Sequence, residues 1–84
     1  NQNTMPEIFR AFGFSFLFFS RDHKPIHVHV IGKDGDAKYV WNGTEFIFEY
    51  QHIKANDLKK IKSMIDENSD IIIRHWKNYF GEEE

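Results

Sequence analysis

Two dipeptides that favour tight turns constrain the middle of this 84-residue chain more than any other feature. Asp34-Gly35 and Asn42-Gly43 are both favoured at the centre of two-residue β-hairpin loops, and each lies between short apolar segments. They predict three antiparallel strands at 26–32, 36–41 and 44–50. A chain that reverses twice within so short an interval is expected to form a β-meander.

The same turns predict which residues lie opposite each other. With the dipeptides at the turn centres, Val30 pairs with Tyr39 and Tyr39 pairs with Phe46. Side chains alternate between the two faces of a sheet, so a core face and an outer face follow. The predicted core face contains Val28, Val30, Tyr39, Trp41, Phe46 and Phe48. The predicted outer face contains His27, His29, Ile31, Lys38, Val40, Glu45, Ile47 and Glu49.

Aromatic residues dominate the segment that precedes these strands. The stretch 7–20 is predicted to be two short strands separated by a turn or bulge at Gly13. Pro25 then favours a loop over 21–24 that leads into the next strand. Four phenylalanines of one parity are predicted to be core residues: Phe12, Phe14, Phe16 and Phe18.

Beyond Lys54 the apolar residues recur with the period of a helix. Two stripes at helical spacing predict two helices: Leu58, Ile61 and Ile65, then Ile72, Trp76 and Phe80. Gly81 suits the C-terminal end of the second helix.

The predicted fold is therefore one α+β domain over 5–81. It consists of an antiparallel meander of four to five short strands, followed by two C-terminal helices packed on one face. Residues 1–4 are predicted to be a leader or a cloning remnant, and 82–84 an acidic tail.

Composition excludes several classes of function. The absence of cysteine excludes disulfides and thiolate metal sites, and makes a reducing cytoplasm the expected location. A formal net charge of -2 provides no overall positive field for sequence-independent binding of nucleic acid. The most apolar run, 8–19, is too short and too often interrupted to span a bilayer, so no membrane partner is predicted.

Three of the five histidines fall within seven positions, in the stretch RDHKPIHVHV at 21–30. His27 and His29 project from one face of a strand, roughly 6.5–7 Å apart along it. They could bind a zinc or similar ion at a site that Glu45 or His23 completes. We nevertheless predict that the protein has no cofactor. In the simplest alternative, the histidines are half-exposed polar residues that bond to neighbouring strands.

The same residues also suit acid–base catalysis. His27 and His29 could exchange protons with a phosphodiester while Lys38 or Arg10 stabilises the developing negative charge. Such a site would be a metal-independent ribonuclease.

The outer face as a whole suggests an interface. Ile31, Val40 and Ile47 make it too apolar for ordinary solvent exposure, whereas its charged residues make it unsuited to a core. Contact with another protein, or with a second copy of this chain, would use such a mixture.

The chain resembles a known family in five segments: MPEIFR at 5–10, HKPIHVHV at 23–30, GDAK at 35–38, EN at 67–68 and WKNYFG at 76–81. These are similar to the bacterial domain of unknown function 4160 family. The resemblance implies no established activity. It implies a small protein often encoded beside another short protein, in an arrangement like that of toxin–antitoxin pairs. The family-like residues with reactive groups are Arg10, His23, His27, His29 and Lys38.

Together these features predict a protein-interaction component of a toxin–antitoxin-like or stress-related pair. Its partner would be the neighbouring small protein or a second copy. The alternative is a small ribonuclease-like toxin that acts on RNA. The predicted catalytic residues are His23, His27, His29 and Lys38, and the predicted binding residues are Arg10, Ile31, Val40, Glu45 and Ile47.

Overall fold

A computed structural model describes residues 3–81 and confirms the predicted α+β fold. Each strand pairs antiparallel with the next, so the order in the sheet follows the order in the chain. The strands are β1 (Phe9–Ala11), β2 (Phe14–Leu17), β3 (His27–Gly32), β4 (Gly35–Trp41) and β5 (Phe46–His52). They are followed by α1 (Ala55–Glu67) and α2 (Ser69–Phe80). Neither helix has the length and apolar character needed to cross a membrane.

The two ends of the chain are described only in part. Asn1, Gln2 and the acidic tail at 82–84 lie outside the described residues. Thr4, from the predicted leader, forms an isolated antiparallel bridge with Phe19.

The predicted break at Gly13 is the turn between β1 and β2. Phe12 and Gly13 both have positive φ, of 55° and 80°, as a two-residue hairpin turn requires. Our prediction that Phe12 is a core residue is wrong, because this turn leaves its side chain 51% exposed. Lys60 Nζ lies 5.5 Å from the centre of the Phe12 ring.

Both predicted hairpin registers are wrong by two residues. In the first hairpin Gly32 pairs with Gly35, so Val30 lies opposite Ala37 rather than Tyr39. Gly35 is the first residue of β4, and β5 ends so close to it that a Cβ at this position would clash with the backbone oxygen of His52.

The second hairpin has a four-residue loop in place of a two-residue one. Trp41 pairs with Phe46, and the side-chain oxygen of Asn42 accepts the backbone N–H groups of Thr44 and Glu45 at 2.8 and 2.9 Å. Asn42 therefore stabilises a wider turn, as asparagine does in Asx-turns.

A shift of two residues keeps a side chain on its predicted face as long as it stays in its strand. Our prediction that Glu45 lies on the outer face is wrong, because the shift places Glu45 in the loop before β5, where it pairs with Lys62 of α1. Four predicted core residues are accordingly buried: Val28, Val30, Tyr39 and Phe46. Phe48 is an exception at 55% exposure, because β5 is an edge strand with a neighbour on one side only. A bulge beside it makes Glu49 an extra residue, since Tyr39 pairs with Phe48 and Lys38 with Tyr50.

The two helices pack on the core face, where four of the six predicted stripe residues are buried and the other two, Leu58 and Phe80, are partly buried. Ile61 and Ile65 of α1, with Ile72 and Trp76 of α2, join the strand residues in one apolar cluster. Helix α2 ends at Gly81 in the left-handed conformation, as predicted. On the other side of the sheet, the loop between β2 and β3 lies over the start of β3.

Candidate functional site

His27 and His29 lie on the outer face, but they are buried. Their exposed fractions are only 5% and 9%, so the alternative of half-exposed polar residues is wrong. Two aromatic rings cover them: the Phe19 ring lies 4.4 Å from the His29 ring, and Trp76 of α2 lies 5.1 Å from the His27 ring. The covering chain is the loop between β2 and β3, which folds back over the start of β3.

Asp22, in this loop, is the carboxylate that meets the histidines. Its Oδ2 lies 3.2 Å from Nε2 of His27 and 3.2 Å from Nε2 of His29. The same oxygen accepts the backbone N–H of Phe19 at 2.9 Å, which holds the loop in place. The Asp22 side chain is only 8% exposed, so three ionisable groups share one buried position.

The protonation of His27 follows from its second contact. Its Nδ1 lies 2.8 Å from the backbone oxygen of Pro25, and a carbonyl oxygen can only accept, so Nδ1 carries a proton. In a neutral ring, Nε2 would then direct its lone pair at the carboxylate of Asp22. That arrangement is repulsive unless a positive species, a proton or a metal ion, lies between Nε2 and Oδ2.

His29 is less well satisfied than His27. Its Nε2 is buried and has no aligned hydrogen bond, although the Asp22 oxygen is 3.2 Å away. We therefore regard this contact as electrostatic rather than as a hydrogen bond. Burial lowers the pKa of the His29 imidazole below its ordinary value, and the carboxylate of Asp22 only partly opposes this shift.

A cleft of about 330 Å³ opens beside the cluster and brings three predicted catalytic residues together. His23, His27 and Lys38 all line it. The exposed side of the cleft also carries Arg21, Lys24 and Glu49. Lys38 Nζ lies 3.5 Å from the Glu49 carboxylate, so part of the cationic charge in the cleft is neutralised.

The other predicted site residues lie elsewhere. Arg10 is on β1, where its guanidinium donates to Ser15 Oγ at 2.7 Å and lies 3.4 Å from the Glu7 carboxylate. Glu45 forms an ion pair with Lys62 at 3.1 Å, so it does not complete a site with the histidines. The predicted apolar binding residues lie on the outer face, where Ile31 is 37% and Ile47 44% exposed while Val40 is partly buried.

Asp22 is the site residue that sequence reasoning missed. Strand alternation predicts where His27 and His29 point, but it says nothing about a loop residue five positions earlier. The available signal was an acidic residue in a short loop immediately before two histidines at alternate positions of a strand.

A family model described as a domain of unknown function, DUF4160, matches residues 13–77. The matched range contains the loop, Asp22, both buried histidines and most of the two helices. No curated protein and no solved structure matches the chain.

Proposed function

We propose, from the premise that this chain belongs to the DUF4160 family, that it binds a second small protein as one member of a toxin–antitoxin-like or stress-related pair. The observation that carries the proposal is an open edge of the sheet with apolar side chains on both of its faces. This edge is strand β5, which pairs with β4 alone among the strands that the structure describes.

The exposed apolar groups of β5 support binding. Ile47 is 44% and Phe48 55% exposed, and these neighbours point to opposite faces of the sheet. Val40 pairs with Ile47 and extends the apolar surface to β4. A strand of the partner added beside β5 would gain backbone hydrogen bonds and cover both exposed side chains.

The edge has features that disfavour pairing with a second copy of the chain. Glu49 forms a bulge in the strand, and its charge lies in the middle of the edge. In a pair of two identical β5 strands, both bulges and both Glu49 charges would meet at the same edge, whereas a strand of a different protein need not bring either. We therefore assign the surface to the neighbouring small protein rather than to self-association.

Replacing Ile47 by aspartate is expected to weaken binding of the genetically neighbouring protein by at least about tenfold, because it places a charge in a desolvated contact. Isothermal titration calorimetry with both purified proteins measures this change. The matched control is Ile71→Asp, since Ile71 has a similar exposure of 37% but lies on α2. Equal affinities for the two variants would show that the partner does not bind at β5. A homodimer that depends on Ile47 would show that a second copy of the chain, and not the neighbouring protein, binds there.

A second candidate function, RNA cleavage without a metal, is supported by the cleft that His23, His27 and Lys38 line. Lys38 and Arg21 could hold a phosphate there while imidazoles exchange protons with it. His27 could reach a substrate only by giving up its contact with Asp22, because Pro25 already holds its other nitrogen. His23, which is exposed, is therefore the expected proton-transfer group.

This candidate predicts that the chain cleaves single-stranded RNA, that cleavage survives a chelator, and that His23→Ala reduces the rate by about a hundredfold or more. Gel analysis of a labelled oligonucleotide measures the rate. His52→Ala is the matched control, because His52 is also exposed but pairs with Asp36 on the outer face beyond the cleft. Absence of cleavage, or equal losses in the two variants, would exclude it.

A further inference from the structure

We infer that Asp22, His27 and His29 bind a divalent transition-metal ion, zinc foremost, beside the cleft. The inference does not depend on the proposed partner or on RNA cleavage.

The spacing of the three ligand atoms fits such an ion. All three lie within 4.8 Å of one another, and the Asp22 oxygen is 3.2 Å from each histidine Nε2. In a tetrahedral zinc site with bonds of about 2.0–2.2 Å, neighbouring ligand atoms are roughly 3.3–3.6 Å apart. Both contacts to the carboxylate therefore already have nearly the spacing that a bound ion imposes.

The second contact of His27 supports the same assignment. Its Nδ1–H donates to the backbone oxygen of Pro25, which fixes the ring and leaves Nε2 as the atom directed at Asp22. Histidine ligands of metals are commonly oriented in this way, with one nitrogen on the ion and the other N–H on a carbonyl or carboxylate.

His29 provides an independent observation. Its side chain is buried, its residue is only 9% exposed, and its Nε2 has no aligned hydrogen-bond partner within residues 3–81. An unpaired buried nitrogen costs free energy, which a bound ion would recover.

A shared proton is the competing explanation. A proton on Nε2 of His27 would satisfy the contact with Asp22, but it would leave Nε2 of His29 without an aligned partner. A metal ion would satisfy both histidines and the carboxylate together, which is why we favour it.

The chemistry of the ligands and the shape of the site indicate the kind of ion. Two imidazole nitrogens and one carboxylate oxygen suit zinc and neighbouring transition metals better than magnesium or calcium. Asp22 and His27 both line the cleft, so a fourth position could be filled by water or a ligand. Three protein ligands with an open position are typical of catalytic zinc sites rather than structural ones.

The test uses the full chain, purified without a histidine tag and dialysed against a chelator. Titration calorimetry with zinc chloride is expected to give one ion per chain, and magnesium chloride is expected to give no binding. Cobalt chloride is expected to produce the visible absorption of a tetrahedral Co²⁺ site. Asp22→Asn and His29→Asn are each expected to weaken zinc binding by about a hundredfold or more.

Two controls accompany the test. His52→Ala removes an exposed histidine that is outside the three ligands and outside the cleft, and it is expected to leave the zinc affinity unchanged. Circular dichroism in chelator checks that each variant folds, and Asp22→Asn keeps the shape of the side chain if His29→Asn does not fold. Zinc binding that persists in both ligand variants, that depends on His52, or that is absent in the wild type would overturn the site.

Discussion

Replacing Phe18 by alanine is expected to lower the free energy of unfolding by about 3–5 kcal/mol. Phe18 is fully buried just after β2, where it connects the sheet to helix α2. Its ring centre lies 5.2 Å from that of Trp76, 5.8 Å from that of Phe80 and 6.0 Å from that of Tyr79. Truncation would remove all three contacts and leave a cavity between the layers.

The size of this effect matters because small domains have little stability to lose. A total of about 5–15 kcal/mol is usual, so the loss could leave the chain partly unfolded at room temperature. Urea unfolding followed by circular dichroism measures the change. Phe48→Ala is the matched control: the same substitution at a ring that is 55% exposed is expected to cost about 0.5 kcal/mol or less. Similar losses in both variants would show that the Phe18 contacts do not hold α2 on the sheet.

The parts of the fold that the sequence predicts are those that rest on repeated patterns. The alternation in β3 and β4 and the helical stripes of α1 and α2 each involve several residues. An error at one position therefore does not change the predicted type of element. The predicted faces of the strands are correct despite two errors in register. A shift of two residues returns each side chain to its own face, whereas a shift of one would have exchanged the faces.

The registers themselves depend on contacts that the turn dipeptides do not specify. The sequence places glycine at 35, and the close approach of the His52 backbone oxygen explains why this strand position has no side chain. Asn42 indicates a turn, but its acceptance of two backbone N–H groups decides the loop length. In both cases the dipeptide predicts that the chain reverses, and a particular contact determines where.

Only part of the candidate site could likewise be predicted from the sequence. Alternation places His27 and His29 together, but their burial depends on a loop with no periodic pattern. The loop places Asp22 over both rings, so these histidines cannot belong to a flat protein interface. This separates two sets of residues that the sequence had grouped on one face: the exposed apolar groups near β5, and the buried polar groups at the start of β3.

The contact between Asp22 and His27 is expected to show a coupling energy of about 1–3 kcal/mol in metal-free protein. Both side chains are nearly buried, at 8% and 6% exposure, and their atoms are 3.2 Å apart. Removing either partner leaves a buried polar group without its partner, which commonly costs about 1–3 kcal/mol. Removing both abolishes that penalty, so the double variant is expected to lose less than the sum of the single variants.

A double-mutant cycle of Asp22→Ala and His27→Ala, measured by urea unfolding in chelator, gives this coupling. The control cycle uses Asp36 and His52, an aspartate–histidine pair at 3.5 Å whose side chains are 48% and 74% exposed. Water screens that pair, so its coupling is expected to be about 0.5 kcal/mol or less. Equal couplings in the two cycles would mean that burial does not strengthen the Asp22 contact. Saturating zinc is expected to enlarge only the Asp22 coupling, because each single substitution would then also lose the stabilisation that a bound ion gives to the folded state.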